Sequence, residues 1–117
     1  MTRGHEITIE QGTQHVRVAH GGTILAETDR PLLLRETGCP VRYYIPAEDV
    51  RLDLLAPSDT HTVCPFKGTA SYWSVPDGPK DLVWSYPDPK PDVAAIKGHL
   101  CFYEAEVSEA SDVSDVS

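Results

Sequence analysis

The chain has 117 residues, 40% of them hydrophobic, which is enough for one domain whose core needs neither disulfides nor a metal. Its formal net charge is −8, but five of its 18 acids follow Lys97, the last base, and the body before them has 13 acids, 10 bases and no basic stripe. Nucleic acid is therefore not an expected partner. No apolar run reaches the roughly 20 residues that span a bilayer, and no signal segment follows Met1, so we expect a cytoplasmic protein without membrane contact.

The first half of the chain is predicted to form short strands. Its apolar residues either alternate with polar ones or are β-branched and aromatic, and Gly21-Gly22 indicates a tight hairpin. A leucine run after Pro31 meets Gly38 and Pro40 within a few residues, too soon for a typical helix. The strands predicted here are residues 7–9, 16–18, 23–28, 32–36 and 41–45.

The second half contains more turns. Pro46 suits the first position of a single helical turn at 46–50, and the acids behind it suit the positive end of the helix dipole. A turn is predicted at 64–68, because Pro65 has no N–H for a ladder and Gly68 permits unusual backbone angles. The other predicted elements are strands at 52–55, 69–75, 81–86 and 99–107, an extended linker at 87–91, a helical turn at 92–96 and a disordered acidic tail at 108–117.

The spacing of the prolines decides the fold class. Between Pro31 and Pro91 no proline-free stretch exceeds ten residues, and a helix of average length, about 11–12 residues, does not fit. We therefore predict a mainly β protein: a single small domain of bent or packed antiparallel sheets, tent-like or sandwich-like, with one or two short helical turns. A monomer or a homodimer is expected.

The densest chemistry lies in residues 62–73, around the turn that contains Cys64 and Lys67. Cys64 is a candidate nucleophile, because a nearby ammonium such as Lys67 lowers the pKa of a thiol. His61 or His99 would serve as its base, since a Cys–His pair is the usual activation. The alternative is a buried cysteine that acts as a small hydrophobic residue beside a turn.

Aromatic residues occur in pairs on three predicted strands, at 43–44, 72–73 and 102–103. Neighbouring strand residues face opposite ways, so each pair puts one ring on each face of a sheet. One set of rings is predicted to line a pocket for a flat or cationic ligand, with Tyr44, Tyr72 and Trp84 as its walls. The alternative is a core with scattered surface aromatics.

Polar residues near this pocket are candidates for ligand contacts. Arg35, Glu36 and Asp49 would bind a polar ligand or act as acid and base; alternatively, Asp49 caps a turn and Arg35 forms a surface ion pair. Lys67 and the N–H groups near Gly68 would suit a phosphate or a carboxylate, although the Walker spacing is absent.

The cysteines give little sign of a metal site. Their number is odd and no C-x-x-C occurs, so free thiols are expected. Four soft ligands are present, but they offer one close pair where structural zinc usually has two. We therefore expect no metal and no cofactor. These four ligands are Cys39, His61, Cys64 and Cys101.

The run Thr62-x-Cys-Pro-Phe-Lys-Gly-x-Ala-Ser-Tyr72 resembles the signature of domain-of-unknown-function family 427 (DUF427). Four further segments agree with it in order, so the resemblance extends over about 16–107. It implies one domain at 1–107, acids at Glu36 and Asp49, and Ser71 among the ligand-binding residues. Some catalogues label the family nucleotidyltransferase-like, but the chain has no Asp-x-Asp to hold Mg²⁺. The four segments are 22–28, 43–50, 83–86 and 96–103.

Three functions follow from these patterns. The first is a module that binds a small polar or aromatic molecule in a pocket beside the Cys64–Lys67 turn, independently of the Cys64 thiol. The second is a group-transfer enzyme that uses Cys64 or Lys67. The third is a structural or interaction protein, which would have an exposed apolar patch and no well-formed pocket.

Overall fold

The computed structural model describes residues 5–108, which form ten strands and three short 3-10 helices. The strands are β1 Ile7–Gln11, β2 His15–His20, β3 Thr23–Thr28, β4 Leu32–Glu36, β5 Arg42–Pro46, β6 Ala56–Cys64, β7 Gly68–Ser74, β8 Val83–Ser85, β9 His99–Phe102 and β10 Glu106–Ser108. The 3-10 helices are η1 Ala47–Asp49, η2 Leu52–Leu54 and η3 Pro91–Ile96. No helix of this described part is long and apolar enough to cross a membrane.

The strands form two antiparallel sheets, which confirms the predicted fold class. The large sheet has seven strands in the order β1-β4-β5-β9-β8-β7-β6, and the small sheet has three in the order β10-β2-β3. The predicted hairpin joins β2 to β3: Gly21 and Gly22 have φ values of 58° and 82°, the left-handed pair that a tight two-residue turn requires. The predicted strands 23–28 and 32–36 are β3 and β4 without any shift.

Two predictions about the second half are wrong, and one strand was missed. Residues 52–55 do not form a strand, because Leu52–Leu54 is the 3-10 helix η2. The predicted strand 99–107 is broken after Phe102, and its two pieces, β9 and β10, belong to different sheets. Strand β6 was not predicted, because its first residues include Pro57 and Asp59, which are usual in turns. It is an edge strand with a register shift between Pro57 and His61, where proline is tolerated.

The predicted acidic tail lies mostly outside the described residues. Ser108 ends strand β10 and pairs with His15 of β2. Residues 109–117 fall beyond the part of the chain that the structure describes.

Both faces of the large sheet are covered. One face packs against the small sheet, and Val16 and Leu25 contribute to this core together with Ile45 and Phe102. The other face carries a second core, which includes Tyr44, Trp84, Tyr86 and Cys101 and is covered by Val93 and Ile96 of η3. Strand alternation explains the division, because successive side chains of β5 enter different cores.

The large sheet is strongly curled around the second core. Glu36 at the end of β4 contacts Lys67 in the β6–β7 turn at 2.5 Å. Four interstrand steps separate β4 from β7, so a flat sheet would hold them roughly 19 Å apart. The face that carries Tyr44, Trp84 and Cys101 is therefore the inside of the curl, and we call it the concave face.

Candidate functional site

A row of side chains crosses the concave face. The register pairs Tyr44 with Cys101, Cys101 with Trp84, and Trp84 with Tyr72. The three residues predicted as pocket walls therefore lie together on one face, as alternation along the strands implies. They pack in its core, which the alternative of a core with scattered surface aromatics also expected. Tyr44 and Trp84 are buried, 1% and 7% exposed, and the Trp84 Nε1 donates to the Tyr44 hydroxyl at 3.3 Å. Tyr72 is half-buried and shares a 2.9 Å hydrogen bond with the Thr62 hydroxyl.

Burial favours the neutral forms of three titratable groups in the concave-face core, Tyr44, Tyr86 and Cys101. It raises the pKa of the Tyr44 and Tyr86 phenols, because the phenolate would lose its hydration. It also raises the pKa of the Cys101 thiol to about 12, although the positive charges of Arg42 and Lys67 act in the opposite direction. The floor of the concave face is therefore aromatic and uncharged at neutral pH.

An ion pair connects the two sides of the curled sheet, namely the end of β4 and the β6–β7 turn. The Lys67 Nζ donates to Glu36 Oε1 at 2.5 Å, and His5 Nε2 lies 2.7 Å from Glu36 Oε2. The ring of Phe66 stacks on that of His5, with 3.9 Å between centroids and planes 16° apart. These four residues form one contact cluster. Burial favours the neutral form of Glu36, but the hydrogen bonds from Lys67 and His5 outweigh it and hold the pKa of Glu36 below its ordinary value.

The turn that carries Lys67 is fixed on both sides. The backbone N–H of Lys67 donates to the Cys64 carbonyl at 3.2 Å, and the Lys67 carbonyl accepts from the Lys90 N–H at 3.0 Å. Gly68 has a φ of 123°, and a Cβ there would lie 3.2 Å from the Asp88 carbonyl oxygen. The proline-rich linker therefore packs against the turn at a position where only glycine is unstrained.

Cys64, the predicted nucleophile, lies at the edge of this arrangement. It is half-buried and packs against the concave-face core. Within residues 5–108, no hydrogen bond joins its thiol to His61 or His99, and the His99 Nδ1 instead lies 3.1 Å from the Lys97 carbonyl oxygen. The expected free thiols are confirmed, since Cys39, Cys64 and Cys101 are all unbridged.

Three predicted ligand residues lie away from the concave face. Arg35 is exposed and forms a 3.7 Å ion pair with Glu10. Ser71 alternates with Tyr72 and so faces the other side of β7. Asp49 accepts from the Thr28 hydroxyl at 2.7 Å and from Arg30.

Asp49 belongs to a separate, strongly charged cleft of about 450 Å³. There His15 lies between Asp29 and Glu27, whose hydrogen bonds raise the pKa of the imidazole.

The four soft ligands of the metal alternative do not come together, since no three metal-ligating side chains in the described range lie close enough to share an ion.

Arg42 lies over the aromatic rings of the concave face, and the sequence analysis did not single it out. Its Cζ lies 5.2 Å from the ring centroid of Trp84 and 5.8 Å from that of Tyr103. The two rings are 4.5 Å apart at 53°, and a cleft of about 150 Å³ opens beside Arg42 and Tyr103. A signal was available, because Arg42 precedes Tyr44 by two and must share its face of β5. His5 had no comparable signal.

The β6–β7 hairpin also exposes apolar side chains, as the interaction hypothesis expected somewhere on the surface. Val63 is 79% exposed and Phe66 is 46% exposed. Phe66 stacks on His5, and exposed apolar residues in small numbers are normal on a protein surface.

Comparison with protein-family models identifies a family for this chain. A family model described as "Domain of unknown function (DUF427)", with the short name NTP_transf_9, matches residues 8–113. This range includes every described element except the first residue of β1. No curated protein matches the chain.

Proposed function

The chain belongs to the DUF427 family, and we propose that it binds a small molecule with an aromatic ring and polar groups on the concave face, beside the Cys64–Lys67 turn. The observation that carries the proposal is the row of Tyr44, Trp84 and Tyr72 on one face, with hydroxyl and indole N–H groups among the rings. Pockets for organic ligands are typically built from such rings and a few fixed polar groups.

The rim of the concave face supports the same proposal. Tyr103 is 52% exposed, yet its ring packs on the nearly buried Trp84. A ligand ring that displaced Tyr103 would gain the stacking surface of Trp84 without any change in the sheet. The contacts of Tyr103 with Trp84 and Arg42 are each worth roughly 0.5–1.5 kcal/mol, which a stacked ligand ring would replace.

The two tryptophans provide the test, because they lie on opposite faces. Trp84 belongs to the concave face, whereas Trp73 packs against the core between the sheets. Benzyl alcohol, titrated into ¹⁵N-labelled protein, should shift the indole N–H resonance of Trp84 saturably and leave that of Trp73 unchanged. The Cys64→Ala variant should bind equally well. Equal shifts at both indoles, or none at Trp84, would contradict the proposal.

A group-transfer reaction of Cys64 is the second candidate. It is favoured by the position of this thiol, which is half-buried at the rim of the concave face, whereas Cys101 is buried in its floor and Cys39 is exposed elsewhere. All three are free, which also supports a reducing compartment such as the cytoplasm.

Alkylation by iodoacetamide separates this candidate from simple packing. If exposure alone governs the rates, mass spectrometry should find Cys39 fastest, Cys64 slower and Cys101 inert. A catalytic Cys64 would instead react first near pH 6–7, well below the model thiol pKa of about 8.5. We expect the order set by exposure, because the positive charge of Lys67 is paired with Glu36 and is not available to activate the Cys64 thiol. A fast Cys64 that slows in Lys67→Met would reverse this expectation.

A further inference from the structure

We propose that the ligand of the concave face is an anion, and that Arg42 binds its carboxylate or phosphate group. The inference rests on the proposed function for the site itself, but its own basis is the state of Arg42. It assigns a class of ligand, namely ring compounds that carry an oxyanion. It also assigns Arg42 as the residue that determines specificity for this class.

Arg42 differs from the other described arginines in having no carboxylate partner. Four of them lie within 4 Å of an acid, at distances between 2.6 and 3.7 Å. Within residues 5–108, Arg42 forms neither an ion pair nor a side-chain hydrogen bond, although the chain carries 18 acids and a net charge of −8. The four paired residues are Arg17, Arg30, Arg35 and Arg51.

The geometry of Arg42 leaves its hydrogen-bond donors available. The contacts with Trp84 and Tyr103 are cation–π contacts, which use the faces of the rings and the charge of the guanidinium. The N–H groups of a guanidinium point outward in its plane, in a fork that matches a carboxylate or a phosphate. Arg42 is also half-buried, so an oxyanion there would compete with less water than at an exposed arginine.

The charge balance of the concave face favours the same ligand. Two cations, Arg42 and Lys67, lie close enough to Cys101 to affect its thiol. Lys67 is neutralised by Glu36 at 2.5 Å. Asp81 also acts through space on Tyr103, but among residues 5–108 it forms no ion pair with Arg42. An anionic ligand would give Arg42 the contacting partner that the protein does not supply.

Titrations at constant ionic strength test the inference with four probes: inorganic phosphate, phenyl phosphate, benzoate and the neutral benzyl alcohol. The readouts are the Arg42 Nε–H resonance, assigned by its absence in Arg42→Gln, and the Trp84 indole resonance. Phenyl phosphate or benzoate should bind at least about tenfold more tightly than benzyl alcohol, and their relative affinity identifies the preferred oxyanion. Arg42→Gln should remove this preference, so that in this variant the ring anions bind no more tightly than benzyl alcohol does. Arg51→Gln, at an exposed arginine paired with Asp53, should behave as wild type.

The outcomes separate the two proposals. If benzyl alcohol binds and neither phosphate nor the ring anions shift Arg42, the anion inference is overturned while the ring site stands. If inorganic phosphate shifts Arg42 saturably and no ring compound shifts Trp84, Arg42 is an anion site and the proposed ring-binding function is wrong. If Arg42→Gln does not fold, the Arg42 Nε–H resonance is assigned in the unmutated protein from its nuclear Overhauser contacts with the rings of Trp84 and Tyr103, so both phosphate readings still hold.

Discussion

Replacement of Lys67 by methionine should destabilise the protein by about 3 kcal/mol at neutral pH. The Lys67 and Glu36 side chains are each 11% exposed, and the loss of one partner of a buried pair costs about 3–5 kcal/mol because a desolvated charge remains. His5 still contacts Glu36 in the variant, which keeps the cost near the lower value. The free energy of unfolding, measured by urea denaturation, checks this expectation.

Two further variants show whether the effect comes from the stranded carboxylate. Lys97→Met, at an exposed lysine, should change stability by less than about 0.5 kcal/mol. The double variant Lys67→Met/Glu36→Gln should recover about 1–2 kcal/mol, because no buried charge is left. A loss below 1 kcal/mol in Lys67→Met would mean that the pair behaves like a surface salt bridge and does not close the sheet.

The effect of Lys67→Met should also depend on pH. The pKa of Glu36 in the folded protein lies below the ordinary carboxyl value of 4.5, so its contribution to stability is fully present above that pH. This contribution is lost as the pH falls through the folded value and the carboxylate is protonated. The wild type and Lys67→Met should therefore converge in stability under acid conditions.

Replacement of Ile96 by alanine should cost about 3 kcal/mol. Ile96 is 0% exposed and belongs to η3, which covers the concave-face core. Removal of most of a buried isoleucine side chain loses its transfer free energy and leaves a cavity, which together cost about 2–5 kcal/mol.

A matched control for Ile96→Ala is Ile24→Ala, which makes the same chemical change at a β3 residue that is 42% exposed. It should cost less than about 1 kcal/mol. Thermal or urea unfolding measures both variants. Equal losses at the two positions would contradict the role of η3 as the cover of the concave face.

The elements that could be predicted are those whose signal is local. Gly21-Gly22 defined the β2–β3 hairpin, because only left-handed residues fit its turn. Gly38 and Pro40 left no room for a helix in the leucine run, which forms β4. Strand β6 was missed for the same reason, since Pro57 carries a local turn signal and its place at a sheet edge is a tertiary fact.

The same distinction between local and tertiary signals applies to the candidate site. Strand alternation was enough to put Tyr44, Tyr72 and Trp84 on one face. The contact of Glu36 with Lys67 was beyond prediction, because it joins residues 31 apart and depends on the curl of seven strands. The motif residue Ser71 lies on the opposite face from Tyr72, because neighbouring residues in a strand point in opposite directions however close they are in the sequence.

The position of β9 sets the order in which the protein can assemble during synthesis. Strands β1, β4 and β5 form one half of the large sheet and β6, β7 and β8 the other, and β9 pairs with β5 and β8 between them. The ribosome must therefore synthesise the chain through Phe102 before the open edges of β5 and β8 are paired. Until then both halves expose open edges, which are sites of mispairing. The His99–Phe102 segment is therefore the last strand of the large sheet to be synthesised, and neither half of that sheet is complete without it.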